Sequence, residues 1–321
     1  GFSMCMLNIV VNPMLNKLGG GGNKGNQLIQ VGGSFNSLMG TACIFLTGVL
    51  IPNGISNAVI SDVFPLMFIA LGIFALAFLV ISLTDIPENP VQKMETKEKS
   101  QYGPMSFRHF VLGAVAIFIY VGVEVGIPNV LQKWLQNPEL NVLNVTGVGA
   151  AEAIAGTVTA TYWLLMLVGR LAGAALGAKV SAKAMLTVAS GVGFIFVVLA
   201  IFLNPSTVVG LPVFKGTEGF GIAQVPVNAA LLVLCGLCTS VMWGGIFNLA
   251  VEGLGKYTER ASGIFMALVC GGGILPFVQN LVVDLSGNYL VSYWVVAAGL
   301  AFLLFYALAG SKNVNKDIPV E

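Results

Sequence analysis

The residues that could do chemistry here are few, and most are amides set in apolar sequence. Asn8, Asn12, Gln30, Asn36, Asn129, Asn248, Gln279 and Asn280 lie in or at the edge of apolar runs, and Trp243 sits in the same run as Asn248. An amide both donates and accepts, which suits a solute rich in hydroxyls. An aromatic face can supply the apolar remainder of such a pocket. The alternative is structural: amides also hydrogen-bond one helix to another inside membrane bundles. Asn12 precedes Pro13 and could simply mark a kink. Glu124 lies deep in its apolar run with no basic neighbour in sequence. A carboxyl there must be neutral, paired or in water, which makes it a candidate for ion coupling or a structural acid. Arg170 and Glu252 fall near the ends of their runs and read as gating or structural groups, with Glu252 spaced i,i+4 from Lys256 for a helical ion pair.

Other chemistries find no support in the residues. His109 is the one histidine, so neither a catalytic triad nor a histidine-rich metal site can be assembled. Cys235 and Cys238 form a CxxC without a second pair or a nearby histidine and read as small packing residues. The Gly19–Gly22 run with Lys24 does not fit GxxxxGK[ST] and reads as a flexible connector. A net charge of +1 offers no basic face for nucleic acid. No cofactor or metal is expected, and the chain does not read as an enzyme.

The elements that carry these residues are membrane spans. Charged residues make up 9% and hydrophobic residues 56% of the chain, with mean hydropathy +0.89, far from a soluble domain. Apolar segments of membrane length recur at 1–16, 27–51, 63–84, 108–131, 153–178, 184–204, 226–250, 261–284 and 289–310. Assigning loops alternately to the two sides puts 13 of the 15 lysines and arginines on one side and only Lys133 and Lys215 on the other. The positive-inside rule makes the richer side cytoplasmic, with Glu321 on it. The polar stretch after Thr84 divides the chain into residues 1–84, a linker 85–107 and a part 108–321. Gly1 starts inside an apolar segment, so the sequence reads as lacking its beginning. Within 226–250, Gly244 and Gly245 predict a bend. Within 261–284, Gly271–Gly273 and Pro276 predict another, each tolerated only against protein or a water-filled cavity.

Several phrases resemble one family. SVMWGGIFNLAVEGLGKYTERASGIF and GGGILPFVQNLVVDLSGN are similar to the tenth and eleventh helices of the fucose–proton symporter family, a branch of the major facilitator superfamily. Asn12-Pro13 resembles its "ANP" and Ser34-Phe35-Asn36-Ser37 its "FNS". Tyr120-Val121-Gly122-Val123-Glu124-Val125 resembles "YVGxEV", and Tyr162-Trp163 with Gly169-Arg170 resembles "YW…GR". The resemblance implies an all-α polytopic membrane protein of the major facilitator fold with nine of twelve transmembrane helices. It implies a half N-terminal bundle at 1–84, a central linker and a six-helix bundle at 108–321. It also implies that Asn36 contacts sugar hydroxyls. Three departures stand out. Gly33 replaces a glutamine of the family's sugar site, Asn8 replaces an acid tied to proton coupling, and Trp243-Gly244-Gly245-Ile246-Phe247 stands where "FPTIF" is usual.

The reading is a secondary active transporter that imports a monosaccharide with H⁺ or Na⁺ by rocking two bundles around a midplane site. It places the chain as a monomer in a bacterial inner membrane, in contact with lipid. The alternatives are a membrane sugar sensor that binds without translocation and a facilitator-type efflux transporter.

Overall fold

The computed structural model describes residues 6, 7, 10, 11, 14, 15, 18–20, 22–50, 59–84, 102–145, 148–177, 179–215, 219–315 and 317–320. Asn8, Asn12 and most of the linker, residues 85–101, lie outside them. The chain is mostly helical. In order come α1 (Gly22–Leu50), α2 (Ile60–Leu83), α3 (Arg108–Leu135), α4 (Val148–Leu176) and α5 (Ala182–Phe202). A hairpin, β1 (Val208–Phe214) and β2 (Phe220–Pro226), follows. Then come α6 (Val227–Ser240), α7 (Met242–Val251), α8 (Thr258–Ala267), α9 (Gly271–Ser286) and α10 (Tyr293–Phe305).

Among the described residues, seven helical stretches are long and apolar enough to cross a membrane: 60–83, 108–135, 149–176, 182–202, 227–251, 255–286 and 293–310. They coincide with seven of the nine predicted segments. α1, at 29 residues, has the length, but carries Asn26, Gln27, Gln30, Ser34, Asn36 and Ser37 between its start and its middle turn. The hairpin was not expected from an all-helical reading. Its strands pair antiparallel with Gly210 opposite Gln224 and Phe214 opposite Phe220. Alternation buries Val213, Ala223 and Val225 and exposes Phe220 and Ile222.

Helix ends follow local chemistry. Ser181 caps α5, its side chain accepting from the Ala184 amide at 3.2 Å. At the other end of α5, Asn228 donates to the carbonyls of Ala200 (2.7 Å) and Leu203 (2.8 Å), acceptors the ending helix leaves open. α3 stops where Asn137 takes over, its side chain accepting from Glu139 and Leu140 amides.

Two sequence expectations about breaks are corrected. The bend predicted at Gly244–Gly245 occurs at Val241, a residue in the α region (φ −94°, ψ −7°) that separates α6 from α7. The two glycines lie inside α7, where they admit neighbours: a Cβ on Gly244 would stand 2.5 Å from Asn26 Oδ1. The break expected at Gly271–Gly273 is a 3₁₀ turn at Leu268–Cys270, with the glycines and Pro276 inside α9. A third correction concerns Glu252. α7 ends at Val251 and Glu252 is extended (φ −60°, ψ 124°), so the helical i,i+4 spacing to Lys256 does not form. Glu252 instead offers its carbonyl to His109 Nε2 at 2.9 Å.

α3 is the centre of the packing. It meets α4, α6, α7, α9 and α10 and buries Ile117, Tyr120, Val123 and Ile127. α4 joins α1 to α6. By contrast no residue of α2 is buried, the condition of a helix facing hydrocarbon.

Candidate functional site

Glu124 and Arg170 meet. Arg170 Nη2 lies 3.0 Å from Glu124 Oε1, with side-chain exposures of 6% for Arg170 and 10% for Glu124. The sequence reading set these two apart, an acid in mid-segment and an arginine at a helix end. Arg170 is six residues short of Leu176, where α4 ends, and at 1.5 Å per residue that is about 9 Å inside the helix. Its distance from the terminus, together with Gly169, was the sequence signal for burial.

Three helices hold the guanidinium. Besides Glu124 on α3, Arg170 donates through Nη1 to the Gly33 carbonyl on α1 and through Nε to the Ser240 carbonyl on α6 at 3.4 Å. Two glycines make this possible. A Cβ on Gly169 would stand 2.3 Å from Ser240 Oγ, so the absent side chain is what lets α4 reach α6. A Cβ on Gly33 would stand 3.1 Å from Arg170 Nη1 and 3.3 Å from its Cδ, so the guanidinium occupies space a larger residue would claim. Gly33 is the position where the resembled family carries glutamine. Here a backbone carbonyl and a guanidinium stand in that place.

Hydroxyls frame the pair. Tyr162 reaches the Glu124 carbonyl at 3.2 Å and Thr239 Oγ1 at 3.0 Å. Tyr120, one helical turn from Glu124, is fully buried beside both charges, and its hydroxyl has no hydrogen-bond partner in good geometry. Trp243 packs between Tyr120 and Phe265, both ring centroids at 6.2 Å. In the sequence Tyr120 and Tyr162 stood only as parts of family phrases, and none of Tyr120, Tyr162, Thr239 and Ser240 was given a role at the site. Hydroxyl residues are common in helices, and only the tertiary structure gathers these four.

The predicted amides do not share one set of partners. Gln30 is buried at the pair's side of the molecule and donates to the Val241 carbonyl at 3.0 Å, fastening α1 to the break between α6 and α7. Asn129 and Asn280 lie across α3 and α9, with Asn280 Nδ2 donating to Asn129 Oδ1 (3.2 Å) and Asn280 Oδ1 accepting from Lys133 Nζ (2.9 Å). Gln279 is buried and donates to Ser292 Oγ at 3.4 Å. It lines a small cleft with Gly122, Val123, Leu275, Val295 and Val296. Asn36 is exposed on α1 and Asn248 half-buried on α7. Asn8 and Asn12 lie outside the described residues. Among the described residues no cluster of three or more histidine, cysteine or acidic residues could hold a metal.

A bundle of membrane-length helices around a buried charge pair, with broken helices beside it, defines a polytopic membrane carrier. No family model matches the chain. It is 31% identical over 316 residues to a glucose/galactose transporter of Brucella abortus, an alignment that takes in 96% of this chain and 69% of that protein. A putative glucose/galactose transporter of Helicobacter pylori is 30% identical over 251 residues, 77% of this chain and 54% of the relative. The L-fucose-proton symporter of Escherichia coli is 23% identical over 251 residues, 76% of this chain and 51% of that one. In three dimensions the chain superposes on FucP, a major facilitator superfamily transporter in its outward conformation, with TM-score 0.71 at 19% identity, covering 96% of this chain and 73% of that one. The chain belongs to the fucose–proton symporter family of the major facilitator superfamily, a family of sugar transporters that includes the glucose/galactose transporters. It is a multi-pass membrane protein and a transporter, not an enzyme.

Proposed function

We propose that the chain imports a monosaccharide of the glucose or galactose type, coupled to inward movement of a proton, with Glu124 carrying the coupling charge. The observation that carries this reading is the buried Glu124–Arg170 pair. A carboxyl in low dielectric stays ionised only while a cation and donors hold it. Taking up a proton would release Arg170 from α3 while the guanidinium kept its carbonyls on α1 and α6. A proton bound at one site would thereby change contacts that join three helices. The names of the relatives support a hexose and, in one case, a proton.

The substrate contacts we assign to this cycle are Asn36, Trp243 and Asn248, with Asn129, Gln279 and Asn280 further along α3 and α9. Asn8 and Asn12 belong to the same proposed set. Residues 1–84 would form part of one rocking body and 108–321 the other, joined by 85–107. The excess of lysine and arginine on one side supports a cytoplasmic Glu321, and the bacterial sources of the relatives support a bacterial inner membrane.

Uptake and counterflow of labelled glucose and galactose in proteoliposomes test the proposal. Glu124→Gln should abolish accumulation and leave exchange largely intact, because exchange needs only reorientation of the loaded carrier. Accumulation by the Gln variant would remove Glu124 from coupling. Accumulation driven by a Na⁺ gradient and indifferent to a proton gradient would replace the proton with sodium. Binding without counterflow would make the protein a sensor.

A further inference from the structure

The hairpin of β1 and β2 does not stand out from the helices it joins. Measured from the link at 177–181 between α4 and α5, Phe202 lies about 30 Å along α5 and Thr157 about 29 Å along α4. Lys179 and Lys183 mark the near side, and the hydrocarbon layer is about 30 Å thick. Phe202 and Thr157 therefore both stand at its far boundary. The base of the hairpin begins just beyond Phe202 and is closed by the Val227 amide, which donates to the Thr207 carbonyl at 2.8 Å. The turn end returns to the same depth. There the Phe214 amide donates to Thr157 Oγ1 at 3.3 Å, and the Thr157 hydroxyl donates in turn to the Ala153 carbonyl at 2.9 Å. A hairpin standing upright would carry Phe214 about 20 Å above Val208, out of reach of Thr157. This one is pinned at both ends to one depth and lies along the boundary.

Its two faces differ. Val213, Ala223 and Val225 are buried, and the strands pack on α4 and α6. The opposite face carries Val208 (50% exposed), Phe220 (74%) and Ile222 (67%), with Pro212 exposed opposite Ile222. Outside α1 and the seven spans, Phe220 and Ile222 are the most exposed large apolar residues described. Comparable exposure belongs to residues on the spans, such as Phe74 of α2 at 71%. From Leu203 to Pro226 the sequence carries two charges, Lys215 and Glu218, both at the turn. Beside the base, exposed Phe202 and Trp294 meet edge to face at 5.8 Å, the place aromatic rings take at a membrane border. The apolar face of the hairpin is thus continuous with the lipid-facing surface of α5 and α10. We propose that this face is a membrane-binding surface. It lies between the headgroups and the acyl chains of the leaflet on the lysine-poor side, against glycerophospholipid, with Lys215 at the level of the phosphates. Apolar area that water would otherwise wet is covered there, and the hairpin ties the ends of α4 and α6 to the bilayer surface. The inference needs the membrane spans alone and holds whatever solute is carried.

The test reads the depth of the face by fluorescence of the whole chain in phosphatidylcholine vesicles. Ile222→Trp is the main variant, and Phe220→Trp on the same face is the second, should the first not fold. Ser206→Trp, at an exposed position before β1, gives the reference for water. The emission each variant adds to that of the parent is measured. For Ile222→Trp it should lie at shorter wavelength than for Ser206→Trp. Phosphatidylcholine brominated near the top of its acyl chains should quench it more than the same lipid brominated near the chain ends. Emission that matches Ser206→Trp, quenched by iodide and not by bromine, would put the face in water and overturn the proposal. Emission at short wavelength that neither iodide nor bromine quenches would mean that protein covers the face, and would overturn it equally. Stronger quenching by the deep bromines would place the hairpin inside the hydrocarbon and refute a seat at the boundary.

Discussion

Removing one member of the Glu124–Arg170 pair should cost far more than removing both. Glu124→Leu leaves a guanidinium, which cannot shed its charge, with only the Gly33 and Ser240 carbonyls. Arg170→Leu leaves a buried carboxyl without its cation. Breaking a buried pair from one side typically costs about 3–5 kcal/mol. Replacing both partners with apolar residues of similar volume is commonly neutral or stabilising by roughly 1–4 kcal/mol. For a chain of this size each kcal/mol moves the melting temperature by about 2 °C. Each single variant should therefore melt roughly 6–10 °C below the parent. The double Leu variant should melt within about 3 °C of it, or above. The measurement is thermal unfolding of the purified protein in detergent, followed by fluorescence and by monodispersity. A double variant that falls by the sum of the two singles would show that the charges are not coupled, and the geometry of the site would have been misread.

Other consequences follow from the same contacts. Gly33→Gln would push a side chain into the space of the Arg170 guanidinium, and overpacking of this kind should destabilise by about 1–3 kcal/mol in the same melting assay. Tyr162→Phe removes a hydroxyl that serves both the Glu124 carbonyl and Thr239. It should cost about 1–3 kcal/mol, while Tyr289→Phe, at a half-buried bond to Asn137, should cost less. Neighbouring amides should differ: Gln279→Ala, at a buried site, should lower the melting temperature by several degrees. Asn280→Ala, in an exposed chain with Lys133, should stay within about 0.5 kcal/mol of the parent. Asn36→Ala should weaken sugar binding by roughly 1–3 kcal/mol, read by calorimetry, if its amide meets a sugar hydroxyl.

Most spans were legible in the sequence because hydrocarbon imposes one rule on every residue. A run of apolar side chains about 30 Å long must be a helix that satisfies its own backbone. Hence seven predicted segments return as helical spans with their ends shifted by a few residues. The family phrases were legible for the same reason, as they sit on those spans in fixed order. The hairpin of Val208–Phe214 and Phe220–Pro226 was not, since its apolar residues lie between two spans where neither period nor length marks a membrane element.

The partners of each polar group were decided only by tertiary structure. Glu124 and Arg170 are 46 residues apart, and nothing in the spacing of either reveals the other. Their meeting depends on α3 and α4 crossing, on Gly169 letting α4 approach α6, and on Gly33 vacating the guanidinium's place. Val241, not the adjacent glycines, breaks the tenth-helix phrase: Gly244 and Gly245 are held inside α7 by close neighbours, and Gln30 reaches across to the carbonyl at the break. An amide in sequence reads equally as ligand or glue, because its hydrogen-bonding capacity is the same in both roles. What separates Gln30, which has found a partner, from Asn26, which has none, is the shape of the helix packed against each.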